Sequence, residues 1–140
     1  MINISNQMLY RIPSSNKIYV DYPLFKRFII DPNQYDQLLH DFRIIVDEIK
    51  EKYATYEIHF NALSVTSKSP IKYYQFSQLL YSSNICNADE IDTLVVYNVS
   101  KLIDNCSTII INIIGKEYKN KIELYTKSES GVLLDSLFLK

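Results

Sequence analysis

The segment Ile91-Asp-Thr-Leu-Val-Val-Tyr-Asn-Val-Ser-Lys-Leu-Ile-Asp-Asn-Cys-Ser-Thr-Ile-Ile-Ile-Asn-Ile-Ile-Gly115 decides how this chain folds. Its first part, Ile91 to Tyr97, is a short, β-branched apolar run and reads as a strand. Ser100 can then cap a helix whose stripe Leu102, Ile103, Cys106, Ile109, Ile110, Ile113 and Ile114 recurs at three- and four-residue intervals, with Gly115 placed to end it. A helix so apolar must face a core or a partner, and a strand feeding directly into it is the opening of a crossover unit.

The same alternation continues in both directions. Downstream, Lys121-Ile-Glu-Leu-Tyr supplies a further strand, and Val132-Leu-Leu-Asp-Ser-Leu-Phe-Leu reads as a short amphipathic piece, helix or strand. Upstream, Ser69-Pro70 starts a helix carrying Ile71, Tyr74, Leu79 and Leu80, which follows the strand Tyr56-Glu-Ile-His-Phe and a polar loop from Asn61 to Ser69. Before that strand, Asp31-Pro32 is a helix-start signal, because the carboxylate can accept from free N–H groups and a first-turn proline has no donor to leave unpaired. Behind it Tyr35, Leu38, Leu39, Phe42, Ile45, Val46, Ile49 and Tyr53 fall on one stripe, opposite a charged face of Asp36, His40, Arg43, Asp47, Lys50 and Glu51.

The first thirty residues hold three β-rich stretches: Met8-Leu-Tyr-Arg-Ile, Lys17-Ile-Tyr-Val-Asp-Tyr and Leu24-Phe-Lys-Arg-Phe-Ile-Ile. They are interrupted at Pro13-Ser-Ser-Asn and Pro23 and read as two or three short strands. Connections this short imply antiparallel pairing among them. The whole order, strands, helix, strand, helix, strand, helix, strand, specifies an α/β domain with a mixed, mostly parallel sheet flanked by helices. The 140 residues fit one such domain, spanning residues 1–140, with no repeat or linker.

Composition narrows the function classes. Hydrophobic residues make up 47% and charged residues 22%, which places the chain among globular proteins. A formal net charge of −1 gives no long-range attraction to phosphate backbones or anionic lipid surfaces, so nucleic acid is the least expected partner. No apolar run approaches the roughly 20 residues of a membrane span, and the start lacks the charged and apolar regions of a secretory signal. Cys86 and Cys106 are the only cysteines and stand without a CxxC or Cys/His spacing, so neither a zinc site nor a disulfide framework is expected. A reduced location, cytoplasmic or in a virion, is the expectation, and the sequons at Asn3, Asn98 and Asn105 read as chance. Richness in Ile, Asn, Lys and Tyr is what AT-rich codons produce, as in protists and large DNA viruses.

Few residues carry chemistry. His40 lies one turn after Asp36 on the polar helix face, an everyday surface pair. His59 lies within a strand and reads as a satisfied core or half-buried histidine, because the local sequence is expected to supply no carboxylate or thiol partner for acid/base or ligand work. Cys106 sits on an apolar stripe, and Cys86 has Asp89 and Glu90 nearby, charges that raise a thiol pKa and so disfavour a nucleophile. Neither GxSxG nor a phosphate-cradling glycine loop occurs. These readings point to no enzyme, no cofactor and no metal. Among 12 Tyr and 6 Phe, the pair Tyr73 and Tyr74 beside Lys72 and Lys68 stands out, able to grip a protein partner or sit at a lipid headgroup layer.

From Tyr56 to Tyr125 the chain resembles the CRAL-TRIO family, the domain of phosphatidylinositol-transfer and retinal-binding proteins. The corresponding pieces are Ile58-His-Phe-Asn-Ala-Leu-Ser-Val, Leu94-Val-Val-Tyr-Asn-Val-Ser, the helix Leu102 to Ile114, and Asn120-Lys-Ile-Glu-Leu. Asn61 stands where the family has Asp, Ser64 where it has Gly, and Ser100 where it often has Pro. There is no room for the family's N-terminal helical subdomain, and the gate segment is shortened, so the resemblance is to a minimal, lid-less form. It implies a non-enzymatic interaction module used for protein assembly or self-assembly, as in a large viral particle. The alternative is a small lipid carrier holding an acyl chain beneath Leu102, Cys106 and Ile109. The candidate binding residues are therefore Lys72, Tyr73, Tyr74, Leu102, Cys106 and Ile109.

Overall fold

The computed structural model describes residues 8–28, 33–63, 89–99 and 121–138. These form five strands and three helices: β1 (Leu9–Arg11), β2 (Lys17–Asp21), α1 (Tyr22–Phe28), α2 (Asn33–Lys50), β3 (Tyr56–Asn61), β4 (Ile91–Val99), β5 (Ile122–Thr126) and α3 (Lys127–Phe138). The strands lie in one sheet in chain order, β1-β2-β3-β4-β5. β1 and β2 form an antiparallel hairpin, and the remaining neighbours are parallel. The fold is thus α/β, with a mixed, mostly parallel sheet flanked by helices, as the alternation of elements requires.

The hairpin turns at Ser14, whose φ of 60° puts it in the left-handed region. The turn is closed by Ile12 N–H donating to Lys17 O, and the hydroxyl of Ser15 donates to the carbonyl of Ile12. Asn16 then anchors the turn to the next strand, its carbonyl accepting from Glu57 N–H and its side-chain amide donating to Thr55 O.

One expectation is corrected. Of the two or three strands expected in the first thirty residues, a third over the stretch from Leu24 does not form, because residues Tyr22–Phe28 are helical. The reason is local: Asp21 ends β2 and accepts through Oδ1 from the N–H of Leu24 at 3.1 Å, the geometry of an N-cap, while Pro23 sits in the first turn where no donor is missed. The cap outweighs the β-rich composition of the residues behind it.

Pleating divides the sheet into two faces. Leu9, Ile18, Val20, Ile58, Phe60 and Val96 point to one side and meet Leu38, Phe42, Val46 and Ile49 of α2, together with Tyr22 of α1. Those four α2 residues belong to the expected stripe, with Leu39 and Ile45 of the same stripe partly buried beside them, and its charged face is exposed as expected. Tyr53 is the exception, lying beyond the helix end and exposed. On the other side Tyr19, Val95 and Tyr97 meet Leu133, Leu134 and Leu137 of α3.

The C-terminal segment resolves as a helix that begins at Lys127, directly after β5. The Glu129 carboxylate reaches back to accept from both the N–H and the hydroxyl of Thr126, at 3.0 and 2.8 Å. This is one half of a capping box, and it lets strand pass into helix without a loop. The hydrogen bonds hold the Glu129 carboxyl below its ordinary pKa.

The expected helices from Ser69-Pro70 and from Ser100 to Gly115 lie outside the described residues, as do Asp31 and Pro32.

Candidate functional site, a polar and aromatic sheet face

The face of the sheet beneath α3 gathers the histidine, four tyrosines and two asparagines into one arrangement. Strand register explains how. Tyr10 pairs with Tyr19, Tyr19 with His59, His59 with Val95, and Asn61 with Tyr97, so aromatic positions of successive strands fall into a row running across the sheet. Ring centroids are 5.3 Å apart for Tyr10 and Tyr19, 5.8 Å for His59 and Tyr97, and 6.1 Å for Tyr97 and Tyr125. Phe138 of α3 closes the row edge-on against Tyr19 at 4.9 Å. Such spacings lie within the range where aromatic pairs attract beyond simple burial.

His59 is the centre of the row, and its side chain is bonded at both ring nitrogens. Nε2 lies 2.9 Å from Glu57 Oε1 and Nδ1 lies 2.6 Å from the Tyr97 hydroxyl. A carboxylate can only accept, so Nε2 carries the hydrogen, and the bare Nδ1 accepts from the Tyr97 O–H. The neutral imidazole therefore satisfies both partners. Burial is the largest influence on its pKa and pushes it below the ordinary histidine value; Glu57 opposes that shift, Lys17 adds to it and Glu123 opposes it. Burial likewise pushes the Tyr97 phenol up to about 12, with the Tyr125, Glu57 and Glu123 sites adding to the shift.

The Glu57 contact corrects the expectation that the sequence near His59 holds no carboxylate partner. Residues two apart on a strand share a face, so Glu57 was in reach of His59 by spacing alone. The expectation of a satisfied, buried histidine is met, since His59 is 5% exposed and fully bonded.

A second network crosses the carboxyl ends of β2, β3 and β4. The Tyr19 hydroxyl donates to Asp21 Oδ2 at 3.2 Å and accepts from Asn61 Nδ2 at 3.1 Å. Asn61 Oδ1 accepts in turn from Asn98 Nδ2 at 2.9 Å and from Leu63 N–H at 3.1 Å. Burial, partly offset by the Asn61 hydrogen bond, raises the Tyr19 pKa.

Asn98 can join this network because its φ is 59°, where the β4–β5 register also slips between Val96 and Val99. Asparagine tolerates the left-handed region better than most residues. The break in alternation lets its amide reach Asn61. Its backbone N–H donates to Ser130 Oγ at 2.7 Å, and that hydroxyl donates to Thr126 O at 2.6 Å, so a fully buried serine pins α3 to the end of β4.

Outside α/β sheets' carboxyl ends is where ligands usually bind, which makes this rim the natural place to seek a reaction centre. Among the described residues the arrangement is a chain of paired donors and acceptors running from Asp21 to Asn98. Among the described residues there is no group of three or more His, Cys, Asp or Glu placed to hold a metal ion. Among them, too, no helix is long and apolar enough to cross a membrane.

The six candidate binding residues, Lys72, Tyr73, Tyr74, Leu102, Cys106 and Ile109, all lie outside the described residues, as does Cys86. The face under α3 is a different set of residues. Its one sequence-level signal was the Glu57/His59 spacing; the reach from His59 to Tyr97, 38 positions away, depends on strand register.

Comparison with known proteins adds no relative: no family model, curated protein or solved structure matches the chain.

Proposed function

We propose that this domain works by binding a protein, in self-assembly or with a different chain, and that it catalyses no reaction. The observation that carries this reading is that His59, Tyr97, Tyr19, Asp21, Asn61 and Asn98 on the α3 face are hydrogen-bonded to neighbours in the fold. A general base must reach a substrate proton, directly or through one water. His59 has both nitrogens engaged by its neighbours and is buried, and Asp21, Tyr19, Asn61 and Asn98 bond to one another at the strand ends. Such a network fixes the packing of strands and helix and leaves recognition to the exterior.

The exterior carries apolar side chains suited to that role. Leu124 on β5 and Val132 and Phe138 on α3 are exposed, Val132 to 73%. Apolar and aromatic contacts free of charge make up the centre of protein interfaces.

The CRAL-TRIO-like reading of the fold stands as part of the same proposal. It is supported by the arrangement of the strands that carry the family-like stretches, because β3, β4 and β5 lie side by side and parallel in chain order. In that reading the domain is a lid-less relative used for assembly, as in a large viral particle.

Native mass spectrometry and sedimentation over a wide concentration range test the proposal. Self-association, or a defined complex formed with extract from the source cell, is the expected result. A strict monomer that takes no protein partner overturns it. The lipid-carrier alternative predicts an acyl lipid that copurifies, so mass spectrometry of an organic extract separates the two readings.

A further inference from the structure

The bridge from Glu57 through His59 to Tyr97 has one open proton site, Nδ1, and that site is occupied by the hydroxyl hydrogen of Tyr97. Tyr97 belongs to the cluster on which α3 rests, with Val95, Tyr19 and Leu137 buried around it and Leu133, Leu134 and Tyr125 packed against it. We propose that this bridge is a proton-operated latch for α3. When Nδ1 takes a proton from solvent it becomes a donor, the Tyr97 hydroxyl must turn to accept, and its own hydrogen loses the partner it had inside the cluster.

The groups facing the imidazole fix the sign. On β3 Glu57 favours the added proton, and on β5 Glu123 does so more weakly; on β2 Lys17 opposes it. Tyr10 on β1, Tyr19 and Asp21 on β2 and Tyr125 on β5 are the other titratable groups of this face, Asp21 being bonded to the Tyr19 hydroxyl, and the three phenols are held protonated by raised pKa values. From α3 the face receives Leu133, Leu134 and Leu137, while Glu129 is tied up at the helix start and Asp135 is exposed. The helix thus brings aliphatic carbon to Tyr97 and the rings beside the imidazole, and surroundings so poor in polar groups work against a charged ring. A state with α3 lifted returns the imidazole to water and to its ordinary affinity for a proton. Acid therefore draws the protein toward that state.

The latch is read by amide hydrogen exchange between pH 7.5 and 5.5, corrected for the intrinsic rate at each pH. Protection of α3 should fall below a pH of about 6.5, by up to about tenfold per unit for one linked proton, and should lie below that of α2 throughout, as an opening smaller than global unfolding requires. The variant His59→Gln, which can still donate to Glu57 and accept from Tyr97, should hold α3 with no such slope. Protection of α3 that is constant over the range, α3 amides as protected as those of α2, or a slope that persists in His59→Gln overturns the proposal. Should that variant fail to fold, NMR titration of His40→Gln, which leaves His59 as the single imidazole, decides the matter. Titration below the ordinary histidine range is expected, and titration at or above about 6.5 overturns the latch.

Discussion

The two faces of the sheet are built from alternate residues of the same strands, yet they hold their helices by different means. Toward α2 the interface is mainly aliphatic and aromatic, with Ile18, Phe42 and Ile49 wholly excluded from solvent and Val20, Ile58 and Phe60 filling the space between. Toward α3 the strands offer Tyr10, Tyr19, His59, Tyr97 and Tyr125, rings with polar tips, and His59 bonds Tyr97 while Tyr19 bonds Asn61. The first interface is set by volume and the second by pairing. Volume tolerates no truncation and is indifferent to protons; pairing tolerates shape changes that keep donors and acceptors matched, and it responds to pH.

That contrast can be broken most severely on the α2 side. Phe42→Ala should cost about 3–5 kcal/mol in urea denaturation followed by far-UV circular dichroism, because the ring is fully buried between α2 and Tyr56, whose ring stands edge-on at 6.4 Å. On the α3 side the largest effect should come from a polar deletion. Ser130→Ala leaves the Asn98 N–H without its acceptor and should cost about 1–3 kcal/mol by the same measurement. If Ser130→Ala proves neutral, the claim that pairing secures this face is wrong.

Smaller effects sharpen the comparison. His59 is depressed in the folded state relative to the unfolded chain, so between the two pKa values the unfolded state binds more protons. Stability is then fully present above about pH 6.5 and declines as pH falls toward the native value, by at most about 1.4 kcal/mol per unit. Denaturation midpoints measured from pH 7.5 to 5.5 should show this decline, and His59→Gln should remove the part due to this group. Last, Lys50→Ala breaks the 2.6 Å ion pair with Glu90 in an exposed setting and should leave the midpoint unchanged within error.

Much of this architecture was legible in the chain. Periodicity alone placed α2, β3, β4 and β5, because a stripe at helical spacing or a brief β-branched run admits few alternatives. At Tyr22–Phe28 the β-rich composition points to a strand, while Asp21 and Pro23 repeat the helix-start signal of Asp31-Pro32, and the cap decides the outcome. The Glu57/His59 contact could have been drawn from the strand's two-residue period. The rest of the network could not. The reach from His59 to Tyr97 depends on how β3 and β4 register, and the Asn61–Asn98 bond depends on a left-handed backbone at a residue that composition does not flag. The six candidate binding residues fall outside the described residues, so they and the face under α3 are separate sets of positions.

Because the strands are laid down side by side in the order of synthesis, a nascent chain can assemble this sheet by adding each strand to the edge left by the one before it. No strand has to wait for a later one to be inserted between it and its neighbour, which spares the growing chain a long-range search. The last described element, α3, is also what covers the tyrosine row. Until α3 has been made, that row lacks its helix and stays open to water.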